Sequence, residues 1–233
     1  WIIFQSQQSV SHRGLWLVTG LLAWLAGGFS ETGLAMQTAY LSIWLAGVIY
    51  FRRSDRKTRA LLIAALVGSL LAFAMLALSP ALGLRTIKVP GNPLLLLWLP
   101  LKFTFDFTFS VWRSFVLPTI FTVLVFIVVG VLGGEYLTHK ISISWRQWAG
   151  VFIGLVGVCL ALIFAAMLPS AFAQSAYPEP RALLLPQFVL VVGLALGSIL
   201  VGLILRAYAA RMNMPWIWLS VACTLGLLVT AVY

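Results

Sequence analysis

Acidic residues are scarce in this chain: five Asp and Glu stand against fifteen Lys and Arg in 233 residues. Charged residues of both signs together make up 9%, where a soluble domain carries about a quarter to cover its outside. That shortage excludes a soluble domain able to host chemistry of its own. Charges are also missing from the middle of the apolar runs, where proton relays and ion pathways carry them, which argues against a pump or an ion-coupled transporter. Cysteine and histidine number two each. Cys159 and Cys223 fall inside apolar runs and read as small core residues, so neither a disulfide nor a metal site is expected. His12 and His139 lie in polar sequence at the edges of runs, whereas a haem between paired histidines needs them inside the bundle. No cofactor and no metal centre is therefore expected, with a single axial contact from His139 to a pigment left open. The chain opens on Trp1 and shows no signal peptide, so it is expected to be processed, truncated or part of a longer polypeptide.

What is present in abundance is apolar: 62% of residues are hydrophobic. The expected fold is all-α, a polytopic integral membrane protein. The formal charge of +10 does not point to nucleic acid, because the cations sit between apolar runs, where the rule for membrane orientation places them.

A helix rises 1.5 Å per residue and the hydrocarbon core is about 30 Å thick, so each crossing needs about 20 residues. On that measure the chain forms one transmembrane helical domain over residues 1–233, with seven spans near 14–28, 30–51, 60–79, 112–133, 147–168, 184–207 and 215–233. Pro118 is expected to kink the fourth span and Pro186 to sit in the first turn of the sixth. Residues 91–110 contain alternating Phe103, Phe105, Phe107 and Phe109. Period two reads as strand, but a lone strand in lipid leaves its backbone unpaired. One or two short interfacial extracytoplasmic segments are preferred, with Lys102 and Asp106 paired one helical turn apart. Residues 169–182 read as a Pro-rich outer loop.

Orientation follows from the cations. Arg52, Arg53, Arg56, Lys57 and Arg59 cluster in residues 52–59, and that loop is expected to be cytoplasmic, with residues 81–111 extracytoplasmic. Ten of the fifteen Lys and Arg then lie on the cytoplasmic side of what is expected to be a bacterial cytoplasmic (inner) membrane. The expected partners are membrane lipids and other integral membrane proteins.

Residues 14–51 hold two crossings with almost no loop between them. The chain must turn at Gly27-Gly28, where absent side chains permit the required backbone angles. Ser30 is then the N-cap of the second helix, and Glu31 lies at that helix's positive end. A carboxylate so close to membrane depth is the strongest functional candidate in the chain, capping alone being the plainer account. Gly154 and Gly157 on one span, and Gly193 and Gly197 on another, form small-residue faces that let helices approach closely.

At Gly27-Gly28-Phe29-Ser30-Glu31 the chain resembles a family of uncharacterised bacterial polytopic membrane proteins related to the C-superfamily glycosyltransferases. In that family a Gly-x-Ser-Glu turn joins two helices at the extracytoplasmic face, and a Pro-Gly-Asn followed by Arg closes a later helix. Here Ser79-Pro80-Ala81-Leu82 stands in that place, Arg85 follows, and Pro90-Gly91-Asn92 is displaced. The resemblance covers residues 14–100. It implies a polyprenyl-phosphate sugar donor and an acidic catalytic residue in an early extracytoplasmic loop, yet no such loop precedes residue 14. Three readings stay open: the catalytic part lies elsewhere, Glu31 acts with Arg85 and Lys88 holding the lipid phosphate, or the chain is not an enzyme. The expectation favoured from sequence is a non-catalytic integral membrane subunit of a larger assembly, such as a respiratory or photosynthetic complex. The glycosyltransferase, or a fragment of one, is the alternative.

Overall fold

The structure, a computed structural model, describes residues 12–51, 56–79, 93–138 and 145–212. Seven α-helices and one 3-10 turn account for almost all of them, and no strand occurs among the described residues. In chain order they are α1 (His12–Gly27), α2 (Glu31–Phe51), α3 (Arg56–Ala77), α4 (Pro93–Ser114), α5 (Val116–Thr138), α6 (Trp145–Gln174), the 3-10 turn Pro180–Leu183, and α7 (Leu184–Met212). Five segments are long and apolar enough to cross a membrane: Glu31–Phe51, Arg56–Ala77, Val116–Gly134, Gln147–Ala173 and Pro180–Ala207. A sixth, Gly14–Gly27, is apolar but shorter. By length and composition these are the helices of a multi-pass membrane protein. The expected seventh span, 215–233, lies outside the described residues, as do Arg85, Lys88 and His139.

Three local expectations change. The alternating phenylalanines lie on one continuous helix of 22 residues with Pro100 inside it, because helical pairing satisfies the backbone that an isolated strand leaves bare. Phe103 and Phe107, one turn apart, are buried, while Phe105 and Phe109 are exposed. Lys102 and Asp106 are exposed and form no ion pair with each other. Second, the interruption expected at Pro118 falls at Phe115, between α4 and α5. A proline ring clashes with the carbonyl four residues back, here Ser114, so the helix breaks one turn ahead of the ring. Third, α6 runs through Pro169 to Gln174 instead of ending at 168. Ala166, Met167 and Ala171 around the ring are all but fully buried, and their packing holds the helix despite the lost bond. It ends at Ser175, whose φ of 48° is left-handed and whose N–H donates to the Ala171 carbonyl at 3.2 Å.

The described chain divides into two compact units. The first comprises residues up to 105 together with 161–186, the second residues 106–160 together with those from 187 onward. In the first unit α1 and α3 approach at Gly20 and Gly68: a Cβ on Gly68 would run into the Gly20 carbonyl. Between lipid-facing helices no hydrophobic force drives association, so backbone proximity and hydrogen bonds do more of the holding. Gln37 of α2 supplies two such bonds, donating its amide to the Ala23 carbonyl of α1 at 2.7 Å and to Ser69 Oγ of α3 at 2.8 Å. Ser69 is fully buried and donates in turn to the Ala65 carbonyl. In the second unit α5 and α7 meet at Gly130 and Gly202, each set against a carbonyl of the other helix, that of Ile199 and that of Ile127.

Candidate functional site

The hairpin between α1 and α2 builds the site. Gly28 N–H closes α1 by donating to the Trp24 and Leu25 carbonyls at 3.2 and 3.1 Å. Ser30 caps α2: its Oγ accepts the Gly33 N–H at 3.3 Å and its carbonyl accepts the Leu34 N–H at 2.8 Å, the N-cap pattern. Glu31 is the first helical residue, where the helix dipole favours a carboxylate.

The glycines of this turn serve a purpose other than the one the sequence implies. Neither has a positive φ, so conformational freedom is not what they provide. Gly27 is buried, and a Cβ there would lie 2.5 Å from Leu34 Cδ1 and 3.1 Å from the Ala72 Cβ. Its missing side chain lets α1 approach α2 at Leu34 and α3 at Ala72. Gly28 is exposed and its nearest neighbour would be the Leu25 carbonyl at 3.4 Å.

Glu31, half-buried, stands where two hollows of the first unit meet. One is a polar cleft of about 590 Å³, lined by Ser30, Glu31, Thr32, Ser170, Glu179 and Arg181 among others. The other is an apolar groove of about 600 Å³ that runs along α2 from Glu31 past Ala35 and Thr38 to Ser42, walled by Phe73 of α3, Leu97 of α4 and Phe172 of α6. The hydroxyls of Thr38 and Ser42 donate to the carbonyls of Leu34 and Thr38, each at 2.8 Å. Bonded to their own helix, they leave the groove effectively hydrocarbon.

The far wall of the cleft is a strap of chain after α6. Tyr177 sets its ring edge-on to Phe103 of α4, centroids 5.4 Å apart, and Pro178 is buried. Glu179 is held extended, as a residue before proline is, at φ −63° and ψ 153°. Pro180 then opens the 3-10 turn, closed by the Ala182 N–H donating to the Glu179 carbonyl at 2.9 Å. This places Arg181 Nε 2.8 Å from Glu179 Oε2, with the two side chains 83% and 57% exposed. An ion pair so open to solvent contributes at most about 1 kcal/mol, so an incoming anion can take the guanidinium from Glu179.

Of the candidate site residues singled out from sequence, Arg85 and Lys88 fall outside the described residues; Glu31 lies in this site with its cap Ser30, and Arg181, not selected there, supplies a cation. No arrangement of sequence spacing would have found it, since 150 residues separate the two. A larger groove of about 810 Å³ between α1 and α3, with Trp16, Trp24, Leu71 and Met75 in its wall, has no ionisable side chain among its described lining residues. Gly193 and Gly197 of α7 face α6 within the second unit, where a Cβ would lie 2.5 Å from Cys159 Sγ and 3.5 Å from Phe152 Cε2. Around Gly154 and Gly157 a Cβ meets nothing within 4 Å. Among the described residues no group of three or more His, Cys, Asp and Glu is placed to hold a metal ion.

A carboxylate at the junction of a polar cleft and a hydrocarbon groove, with an arginine across the cleft, is equipped to seat an amphiphile with an anionic head and to accept a proton beside it. Comparison of the chain with protein-family models, with curated proteins and with solved structures finds no match to any of them.

Proposed function

We propose that the chain is a membrane glycosyltransferase, or the lipid-binding part of one, resembling the C-superfamily enzymes that use a polyprenyl-phosphate sugar donor. One observation carries this reading over that of a non-catalytic subunit: the polar cleft and the apolar groove meet at Glu31. A pure packing subunit has no need of a carboxylate there, whereas a lipid-linked sugar needs a dry channel for its tail and a polar chamber for its head.

In this reading the chain crosses the bacterial cytoplasmic membrane seven times. The cluster at residues 52–59 is cytoplasmic, the Glu31 cleft opens to the extracytoplasmic side, and α4 lies in the interface there. Arg85 and Lys88 belong to the same side and add to the positive potential that draws an anionic lipid head group. Glu31 acts as general base. It takes the proton of an acceptor hydroxyl as that oxygen bonds to the anomeric carbon of the donor sugar. The bond from that carbon to the phosphate oxygen breaks, and the lipid phosphate leaves with the electron pair.

Positioned proton transfer contributes about 10²–10⁴-fold in rate. Glu31→Gln, which keeps the shape and removes the base, is therefore expected to reduce sugar transfer from a labelled polyprenyl-phosphate donor by at least about 10²-fold. Transfer at the wild-type rate in that variant removes the assignment.

A second reading rests on the open glycine face of α6. With nothing among the described residues within 4 Å of a Cβ at Gly150, Gly154 or Gly157, that face is suited to receive a further helix, as a subunit of a larger assembly requires of a partner. Migration of the chain as a lone monomer after extraction in mild detergent removes this reading.

A further inference from the structure

The first turn of α3 gathers cations ahead of the apolar run. Residues 52–59 hold five Lys and Arg against the single acid Asp55, and Arg56, Lys57 and Arg59 lie in the described part, all within that turn. Arg56 and Lys57 are exposed and Arg59 is half-buried. Arg59 Nε is shielded from solvent and has no hydrogen-bond partner among the described residues. An unmet buried donor costs more on a charged group than on a neutral one, and cations at the positive end of a helix are opposed by its dipole. An anion at this turn relieves both.

The membrane holds anions at that level. The segment Arg56–Ala77 is long and apolar enough to cross, and no charged residue follows Arg59 within α3. Arg56 to Arg59 rise about 4.5 Å, while the polar layer on each face of a bilayer is about 5–7 Å deep. With the run from Ala60 onward in hydrocarbon, the turn therefore lies among the lipid phosphates. The end of α2, four residues earlier in the chain, agrees: the exposed rings of Tyr50 and Phe51 meet edge-on there, centroids 4.7 Å apart, and aromatic rings favour the interface.

We infer that Arg59 is the phosphate-binding residue of an anionic phospholipid site at the membrane-entry end of α3, with Arg56 and Lys57 adding attraction from its exposed side. Nε and one terminal nitrogen of a guanidinium form a fork that matches two phosphodiester oxygens. Turning that edge outward gives up no hydrogen bond to the described residues, since Nε has none. The Glu31 cleft reaches α3 only at Leu76, about 25 Å along the helix, so this inference stands apart from the reading of that cleft.

Native mass spectrometry of the purified full chain, released from micelles holding graded amounts of phosphatidylglycerol or phosphatidylcholine, tests it, with thermal unfolding as a second measurement. Wild type should retain phosphatidylglycerol in preference to phosphatidylcholine, whose own cation competes for its phosphate. Loss of a hydrogen bond to a charged group weakens binding roughly tenfold to a hundredfold, so Arg59→Gln should weaken phosphatidylglycerol by that factor. Arg59→Lys keeps the charge without the fork and should still lose roughly tenfold. Arg56→Gln and Lys57→Gln, which remove only the attraction of one surface charge, should each lose about fivefold. Arg59→Met keeps the stem and removes the unmet donor. It should unfold in lipid-free detergent at the wild-type temperature or above, and lose the rise that bound phosphatidylglycerol gives wild type. Equal retention of the two lipids by wild type, wild-type binding by Arg59→Lys, or equal losses at Arg59 and Arg56 reduces the turn to a diffuse cationic surface and overturns the site. A lowered unfolding temperature for lipid-free Arg59→Met shows that Nε has a partner within the protein and overturns it too. Displacement of phosphatidylglycerol by excess inorganic phosphate assigns the turn to a free anion and overturns the lipid.

Discussion

Replacing Gly27 and Gly28 one at a time by alanine separates two accounts of the α1–α2 turn. If the pair were there for backbone freedom, both substitutions would strain the turn. The structure assigns them different roles. At Gly27 the new Cβ would lie 2.5 Å from Leu34 Cδ1 and 3.1 Å from the Ala72 Cβ. Leu34 is completely buried and Ala72 nearly so, so the Leu34 methyl has to find another rotamer in a filled space and the Ala72 Cβ has none to turn to. Overpacking a well-filled site costs about 1–3 kcal/mol, against which alanine recovers up to about 1 kcal/mol of helix propensity over glycine. The net is a loss of up to about 2 kcal/mol, or roughly 4–8 °C in unfolding temperature for a chain of this size. At Gly28 the nearest atom is a carbonyl at 3.4 Å, an ordinary contact, and φ is not positive. Alanine there should be neutral or stabilising by up to about 1 kcal/mol, because it restricts the unfolded chain. Thermal unfolding followed by circular dichroism in one detergent reads both. Equal destabilisation by the two variants would refute the close-approach account and restore the conformational one.

Two further outcomes follow from the packing. Gln37→Leu removes both bonds that tie α2 to α1 and α3 and leaves the Ala23 carbonyl without that donor. Hydrogen bonds between membrane helices contribute about 0.6 kcal/mol each on average and up to about 1.7, so a loss of about 1–3 kcal/mol is expected in the same unfolding measurement, and no loss would show the polar cluster to be idle. Gly154→Ala and Gly193→Ala make a second contrast: the first meets open space and should leave the isolated chain as stable as wild type or slightly more so, while the second drives a methyl against Cys159 Sγ and should cost about 1–3 kcal/mol. Equal effects at the two positions would mean that α6 and α7 do not meet at Gly193.

The features legible in the sequence were those that a few neighbouring residues decide. Ser30 and Glu31 could be assigned to cap and first turn because capping needs only the local order of side chains. The long apolar runs announced their helices because a membrane leaves the backbone few other ways to pair. What could not be read depends on partners distant in the chain. Pro169 looks like a terminator on its own, and only the burial of Ala166, Met167 and Ala171 carries the helix past it. The period-two phenylalanines gave the same string whether on a strand or a helix, and backbone pairing chose the helix. Arg181 had the look of an ordinary loop cation between prolines until the strap brought it over the cleft.

The self-satisfied hydroxyls of Thr38 and Ser42 leave the corridor below the cleft with nothing to say about chemical identity. A hydrocarbon tail placed there, as the proposed function has it, would be judged on girth and suppleness alone, by side chains that cannot distinguish one hydrocarbon from another of like shape. On the lipid-phosphate reading proposed above, discrimination among lipids is exercised at the mouth, where the carboxylate and the guanidinium meet the head, and changes that broaden what is accepted are to be sought there and not along the shaft.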